Sequence, residues 1–228
     1  MQNENKLCFI ICVNNEDYYQ EAMLYLLQLN IPAGMEVEFL PVRGASSITQ
    51  GYNEAMKKTD AKYKIYMHQD LLLINRDIVK NILSVFEQNP TIGLIGLAGA
   101  KNLPDSGVWW QATERYCNVY HVYTWESIRK SVHGFFEEPI FPVMALDGLF
   151  MATQYDIPWR DDLFKGWHFY DISQSMEFLR QGYEVVIPKQ KEPWCIHMCG
   201  DKELDQGYKV YQEKFLQEYK QDMDKYKL

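Results

Sequence analysis

The residues with the clearest chemical potential form the triplet His68-Gln69-Asp70, which interrupts an apolar stretch of the chain. Apolar side chains occupy positions 65–67 before it and 71–74 after it. A carboxylate beside a buried strand is costly unless it is paired, hydrogen-bonded or bound to a metal. Alternate residues of an extended segment point the same way, so His68 and Asp70 can face one ion. The competing interpretation is a turn in which Asp70 caps local amides and His68 bonds a carbonyl group.

The elements that must position this triplet alternate between strand and helix. Apolar runs bounded by turn residues predict strands at 7–13, 37–42, 63–67 and 92–97. Helical spacing and capping residues predict intervening helices at 16–29, from Ser46 or Ser47 to about residue 58, and from Asn75 to 89. This order is typical of a mostly parallel, doubly wound α/β sheet with helices on both faces. Ligands bind outside the carboxyl ends of such strands, where the triplet lies.

The second half of the chain has a different pattern. Residues 101–145 are rich in aromatic side chains and have no clean periodicity. Regular spacing returns at Phe169, Ile172, Met176 and Leu179, which predicts a helix, and 184–187 predicts a late strand. Spacing of four residues between aromatic side chains from Tyr208 onward predicts a final helix that packs on the body of the protein.

The charge and motif content of the sequence limit which ligands the protein can bind. The 228 residues carry a formal net charge of −8, which argues against a nucleic-acid surface. Because this charge repels anions, any phosphate site needs a local cation, either a metal or well-placed Arg and Lys residues. No apolar run approaches the roughly 18–20 residues that a membrane-spanning helix requires. The sequence also lacks a Gly-x-Gly-x-x-Gly fingerprint, a Walker-type loop and a Gly-x-Ser-x-Gly elbow.

The cysteines indicate a reducing compartment. Five is an odd number, and Cys8 and Cys12 lie in a predicted buried strand, so reduced thiols and a cytoplasmic location are expected. The amino terminus lacks the positive start and apolar run of a secretory signal. Peripheral attachment to the inner face of the membrane and assembly into a homo-oligomer stay open. The segment Cys195-Ile196-His197-Met198-Cys199 suggests zinc, but no second pair of ligands accompanies it.

Six blocks of sequence, in their order and spacing, resemble a bacterial branch of the family 2-like glycosyltransferases with the GT-A fold. The blocks are Phe9-Ile10-Ile11-Cys12-Val13-Asn14-Asn15, Gly51-Tyr52-Asn53-Glu54-Ala55-Met56, Tyr63-Lys64-Ile65-Tyr66-Met67-His68-Gln69-Asp70, Asp147-Gly148-Leu149-Phe150-Met151-Ala152, Gly166-Trp167-His168-Phe169-Tyr170-Asp171 and Pro193-Trp194-Cys195-Ile196-His197. The resemblance covers roughly residues 7–200. It implies one GT-A-like domain over 1–228, with a nucleotide-binding half (7–100), an acceptor-side half (101–200) and a C-terminal helical tail (201–228).

The resemblance also implies a reaction. A sugar moves, with inversion, from a nucleotide-diphosphate donor, UDP- or GDP-linked, to the hydroxyl group of a saccharide or other acceptor. A divalent metal in this family bridges the donor pyrophosphate through an Asp-x-Asp motif. His68 stands in place of the first Asp here, Asp70 matches the second, and His197 matches a further ligand. Imidazole favours Mn²⁺ over the alternative, Mg²⁺.

The remaining site residues follow from the same resemblance. Asp171 matches the general base at the start of the late helix, and the competing interpretation is an ordinary N-cap. Contacts to the donor are expected from strand ends and the loop at 147, through Asn14, Asn15, Arg43, Asn53, Gln69 and Asp147. Arg43 is equally consistent with a surface ion pair, and Asp147 with a turn.

Two other functions are compatible with the fold class. A nucleotidyltransferase calls for a Gly-rich, basic loop after the first strand, and Asn14-Asn15-Glu16-Asp17 is the opposite. A non-catalytic domain that binds a nucleotide or sugar is the second alternative, and His68 in place of the usual Asp favours it.

Overall fold

A computed structural model of the chain describes residues 2–124, 127–134, 138–200 and 206–228. The strands are β1 (Asn3–Val13), β2 (Glu36–Arg43), β3 (Ala61–His68), β4 (Leu71–Leu73), β5 (Ile92–Gly96), β6 (Ala98–Ala100), β7 (Arg115–Thr124), β8 (Ser127–His133), β9 (Ile140–Pro142), β10 (Ala145–Leu146), β11 (Phe150–Thr153), β12 (Glu184–Pro188) and β13 (Cys195–His197). The helices are α1 (Glu16–Leu26), α2 (Ile48–Lys58), α3 (Ile78–Gln88), α4 (Tyr170–Arg180) and α5 (Gln206–Lys225). The predicted alternation of strand and helix over the first hundred residues is confirmed.

The central sheet has the strand order β2-β1-β3-β11-β5-β12-β9. Its strands β2, β1, β3, β5 and β12 run parallel, whereas β11 and β9 run antiparallel to their neighbours. The sheet is therefore mixed, with the parallel direction in the majority, and the predicted α/β fold class is confirmed. The antiparallel β11 lies in the middle of the sheet, directly beside the end of β3.

Helices cover the central sheet on both faces. Alternate residues of β1 enter different cores, with Leu7 and Phe9 on one face and Cys8 and Ile10 on the other. The first core includes apolar residues of α1 and α3, and the second includes residues of α2 and α4. Burial on both faces explains why β1 has a continuous apolar run instead of an alternating one.

A second sheet, which the sequence did not predict, has the order β10-β6-β7-β13-β4, and β8 pairs with residues 117–124 of β7. Much of it comes from the aromatic region that lacked periodicity. β7 pairs with β8 along most of its length, with β6 near its start and with β13 at Tyr120 and His121, so its burial does not alternate simply. The side chain of Trp125 lies outside the described residues.

Two predicted helix boundaries differ from those observed. The helix predicted from Asn75 begins at Ile78, because the Asn75 side chain accepts a hydrogen bond from the Asp77 amide and holds a turn there. The helix predicted to continue to residue 29 ends at Leu26, where the amides of residues 27 and 28 turn back to carbonyls of the last turn.

The final helix packs on the body, as predicted. Phe215 and Tyr219 of α5 are fully buried beside Phe169 at the start of α4. Arg180 of α4 also pairs with Glu218 and Asp222 of α5. Residues 201–205 of the predicted tail lie outside the described residues. Within the described ranges, no helix has both the length and the apolarity needed to cross a bilayer.

Candidate active site at the junction of the two sheets

The triplet His68-Gln69-Asp70 joins the two sheets. β3 ends at His68, which pairs with Cys12 of β1 in the central sheet. β4 begins at Leu71 and belongs to the second sheet. The polar interruption in the apolar run is therefore the point where the chain leaves one sheet for the other, and its side chains lie at the carboxyl end of β3.

Pairing between β4 and β13 brings a third side chain to the triplet. His197 is opposite Leu71, and the amide of Met198 donates to the Asp70 carbonyl at 2.9 Å. Asp70 Oδ1 lies 3.8 Å from His68 Nδ1 and 3.6 Å from His197 Nε2. One ligand atom from each of these three residues lies within 4.8 Å of the others. The residues predicted as metal ligands thus form one cluster.

Tyr170, the first residue of α4, holds His68 from the side opposite Asp70. Its hydroxyl oxygen lies 2.6 Å from His68 Nε2, and the two groups share a hydrogen bond. The Tyr170 ring is buried and packs within 6.3 Å of Tyr52 and 6.0 Å of Trp159, measured between ring centroids. This aromatic support fixes the hydroxyl, which in turn fixes the His68 ring.

Asp171 lies beside Tyr170 in the first turn of α4, where its Oδ2 atom accepts a hydrogen bond of 2.9 Å from the Gly148 amide. Burial raises the pKa of Asp171 to about 7, and the nearby charge of Asp147 acts in the same direction. Asp171 is not the N-cap, because Phe169 occupies that position with a φ of 60°. A non-glycine residue with positive φ is uncommon and stores backbone strain.

Gln69 connects the triplet to the loop after β1. Its Oε1 atom accepts hydrogen bonds of 2.9 Å from the amides of both Asn14 and Asn15, and its amide group bonds the Asn14 side chain. The Asn15 side chain instead caps α1, accepting from the amides of Asp17 and Tyr18. Gln69 and Asn14 therefore face the site, whereas the Asn15 side chain is engaged in the helix cap.

Three of the predicted donor contacts are engaged elsewhere. Arg43 forms a paired contact with Glu16, at 2.6 and 2.9 Å, on the surface. The Asn53 side chain is buried and bonds the backbone of Trp159 through both its amide nitrogen and its oxygen, each at 2.8 Å. Asp147 accepts from the Leu149 amide at 2.8 Å, which is the turn alternative considered for it. None of the three lines the cavity beside the triplet.

This cavity has a volume of about 440 Å³. It is lined by residues from both sheets and from the segment before α4: Cys12, Asn14, Ile48, Tyr52, Met67, His68, Gln69, Asp70, Trp167, His168, Tyr170, His197 and Cys199. Neither lysine nor arginine is among these described residues, so phosphates in the cavity would need a bound cation.

Sequence reasoning missed Tyr170, Trp167, His168 and Cys199 as lining residues, and it missed His121, which lies opposite His197 on β7. Tyr170 lies in the matching sequence block 166–171 together with Asp171, so the resemblance could have indicated it. His121 lies in the aperiodic region and reaches the site through strand pairing, so the sequence held no signal for it.

The fold is that of the GT-A-type glycosyltransferases. The chain belongs to the glycosyltransferase-like family, whose sequence profile matches residues 8–219. No curated protein sequence matches the chain.

Solved structures support the same fold. The mannosyltransferase PcManGT from Pyrobaculum calidifontis, in complex with GDP-Man and Mn²⁺, has a TM-score of 0.57 and 12% identity, and covers 94% of this chain and 62% of its own. S. aureus TarS 1-349 has a TM-score of 0.54 and 11% identity, with 94% and 71% covered. Its complex with UDP-GlcNAc has a TM-score of 0.55 and 10% identity, with 89% and 60% covered. At these identities the likeness concerns the fold.

Proposed function

We propose that the chain is a metal-dependent, inverting glycosyltransferase that moves a sugar from a nucleotide-diphosphate donor to a hydroxyl acceptor. The observation that carries this proposal is the cluster of His68, Asp70 and His197 at the carboxyl end of β3, within a cavity of sufficient size for a ligand. In this proposal, residues 7–100 bind the donor and residues 101–200 bind the acceptor.

The residues present fit a divalent cation. Two imidazoles and one carboxylate lie close together, with one ligand atom from each within 4.8 Å of the others. This ligand set suits Mn²⁺ better than Mg²⁺, which prefers oxygen ligands. A bound cation supplies charge neutralisation for a leaving nucleotide diphosphate, in a cavity whose described lining offers no basic side chain.

UDP- or GDP-linked sugars are the donors that the comparisons favour, because TarS was solved with UDP-GlcNAc and PcManGT with GDP-Man. Asn14 and Gln69 line the cavity next to the triplet and offer amide groups to the donor. Arg43 would have to leave Glu16 to contact a donor.

Asp171 is proposed as the general base. A carboxylate with a pKa of about 7 is partly ionised at neutral pH and basic enough to accept a proton from an acceptor hydroxyl. Strongly shifted carboxylates are concentrated at functional sites. Trp167, which is 45% exposed and lines the cavity, offers a face on which an acceptor sugar can stack.

We also propose a cytoplasmic location. The five cysteines all lie within the described residues and form no disulfide. Thiols persist in reducing compartments, where nucleotide-linked donors would meet this site.

Calorimetry with UDP and GDP, with and without Mn²⁺, tests the donor and the metal together. We expect metal-dependent binding of one nucleotide, lost in Asp70→Asn and retained in the control Asp77→Asn, whose carboxylate bonds Asn30 on the surface. Absence of binding by every nucleotide with metal present would contradict the proposal. Donor turnover by wild type and Asp171→Asn then separates catalysis from binding alone, because the non-catalytic alternative predicts no turnover by either protein.

A further inference from the structure

A second group of potential ligands adjoins the first. His121 of β7, His197 of β13 and Cys199, just after β13, each place one ligand atom within 4.8 Å of the others. All three side chains are partly buried, so ions from solvent can reach them. His197 belongs to this group and also to the group with His68 and Asp70.

Strand pairing explains why these three residues meet. β13 runs parallel to β7 and places His197 opposite His121, with their ring centroids 5.7 Å apart. Cys199 follows His197 by two residues, and both side chains line the same cavity. The Gly200 amide donates to the Val122 carbonyl at 3.2 Å, and the Cys199 thiol donates to the same carbonyl at 3.5 Å. These bonds hold Cys199 against β7.

The chemistry of this group differs from that of the first. It combines a sulfur ligand with two imidazoles and has no carboxylate. Thiolate and imidazole ligands select Zn²⁺, whereas oxygen ligands suit Mn²⁺ and Mg²⁺. Three protein ligands with one position left open is a common zinc arrangement.

We propose that His121, His197 and Cys199 form a Zn²⁺ site, and that Zn²⁺ bound there withdraws His197 from His68 and Asp70. Zinc–ligand bonds place adjacent ligand atoms roughly 3.5 Å apart, and the three ligand atoms of this group already lie within 4.8 Å of one another. A neutral imidazole has one lone pair and carries a proton on its other nitrogen, so His197 serves one ion at a time.

Cobalt(II) substitution tests the site directly, because a thiolate ligand gives Co²⁺ a charge-transfer band that nitrogen and oxygen ligands do not give. We expect the purified wild-type protein to bind one Co²⁺ with this band and to release it to Zn²⁺. Cys199→Ser should abolish the band, and His121→Ala should weaken Zn²⁺ binding by roughly 100-fold or more, since even indirect ligand partners cost about 10–100-fold. Circular dichroism establishes that each variant is folded.

Two matched variants identify the ligands. Cys12→Ser alters another partly buried thiol of the same cavity and should keep the band. Asp70→Asn removes a member of the first group only and should also keep the band. A band that survives Cys199→Ser, or that is lost in Cys12→Ser, would overturn the proposal, as would a wild-type protein that shows no band. These readouts do not require catalysis, so they stand apart from the test of transferase activity.

The sharing of His197 has its own readout. Bound Mn²⁺, followed by electron paramagnetic resonance, should be displaced by one equivalent of Zn²⁺ in the wild type. In Cys199→Ser, displacement should require at least about tenfold more Zn²⁺. Equal Zn²⁺ requirements for the two proteins would contradict the sharing of His197.

Discussion

The hydroxyl oxygen of Tyr170 lies 2.6 Å from Nε2 of His68, and the other ring nitrogen of His68 faces Asp70 at 3.8 Å. The two nitrogens of one imidazole thus have separate partners, one on α4 and one in the triplet. When Nδ1 offers its lone pair to a metal, Nε2 carries the proton and donates it to Tyr170. Tyr170 is therefore a positioning residue that fixes the orientation of the His68 ring.

We expect Tyr170→Phe to weaken Mn²⁺ binding by about 10–100-fold, the usual cost of removing a partner that orients a metal ligand. The fold should persist, because the ring keeps its aromatic neighbours. Isothermal titration with Mn²⁺ measures the effect. Tyr155→Phe is the control, since it also removes a bonded hydroxyl, at 2.7 Å from the Pro90 carbonyl, but far from the metal ligands. Unchanged Mn²⁺ affinity in Tyr170→Phe would refute the positioning role.

Gly148→Ala should impair the same contact by a different route. A Cβ atom at position 148 would lie 2.0 Å from the Tyr170 hydroxyl oxygen, so the tyrosine must move away from His68. We expect weaker Mn²⁺ binding and a loss of roughly 1–3 kcal/mol in the free energy of unfolding, which is the cost of overpacking.

Gly182→Ala provides the comparison for this change. It has a φ of +83° and open space around the added atom. It should lower stability by about 1 kcal/mol through backbone strain and leave Mn²⁺ affinity unchanged. If Gly148→Ala behaves in the same way, the Gly148–Tyr170 contact has no part in metal binding.

Asp171→Asn should lose turnover and gain stability at alkaline pH. The carboxyl binds its proton more tightly in the folded state, where its pKa is about 7, than in the unfolded chain, at 3.8. The folded state therefore holds the extra proton between these values, and stability falls as pH rises from about 4 to about 7. Ionisation of Asp171 lowers the free energy of unfolding by at most about 4 kcal/mol at pH 8, and the Asn substitution removes this loss. Turnover by the wild type should rise through about pH 7 as the base ionises.

Urea unfolding at about pH 5 and about pH 8 measures this effect. The stability difference between Asp171→Asn and wild type should shift in favour of the variant at the higher pH. The control is Asp162→Asn, because its hydrogen bonds with Arg160 lower the pKa of Asp162, so the wild-type carboxylate is ionised at both pH values. A pH-independent difference for Asp171→Asn would show that its carboxyl is not held protonated.

Phe215→Ala should destabilise the protein by about 3–5 kcal/mol, because the side chain is fully buried and its removal leaves a cavity. Phe215 packs with its ring centroid 5.6 Å from that of Phe169, whose positive φ must be held by such contacts. Chemical denaturation measures the loss. Val210→Ala, at a site that is 51% exposed on the same helix, should change stability by no more than about 0.5 kcal/mol.

Local signals explain how much of the fold was predictable. α2 was predicted closely, because the Ser47 side chain caps it. The apolar run predicted β1 from residue 7 to its end, but the strand begins earlier, at Asn3. Apolar runs and helix caps depend on neighbouring residues, so they can be recognised in the sequence. The second sheet was not predictable, because β13 pairs with β4 and β7, which lie in distant parts of the chain.

The same distinction applies to the site. Asp70 stood out because a carboxylate in an apolar run demands a partner, and the structure supplies His68 and His197 beside it. His121 gave no comparable signal, since it only becomes a neighbour of His197 when β7 and β13 pair. The Asn53 side chain, predicted as a donor contact, bonds the Trp159 backbone, and no sequence signal indicated that long-range partner.

The pairing of β4 with β13 has a consequence for synthesis of the protein on the ribosome. His68 and Asp70 emerge early, in β3 and just after it, whereas His197 emerges only after the strands of both sheets that precede β13. Domains fold as their segments leave the ribosome, from the amino-terminal side onward. A nascent chain therefore contains only two of the three residues, His68 and Asp70, for much of its elongation. The group is complete only when β13 pairs with β4. If the cluster binds a metal as proposed, only chains whose translation has passed His197 hold all three ligands.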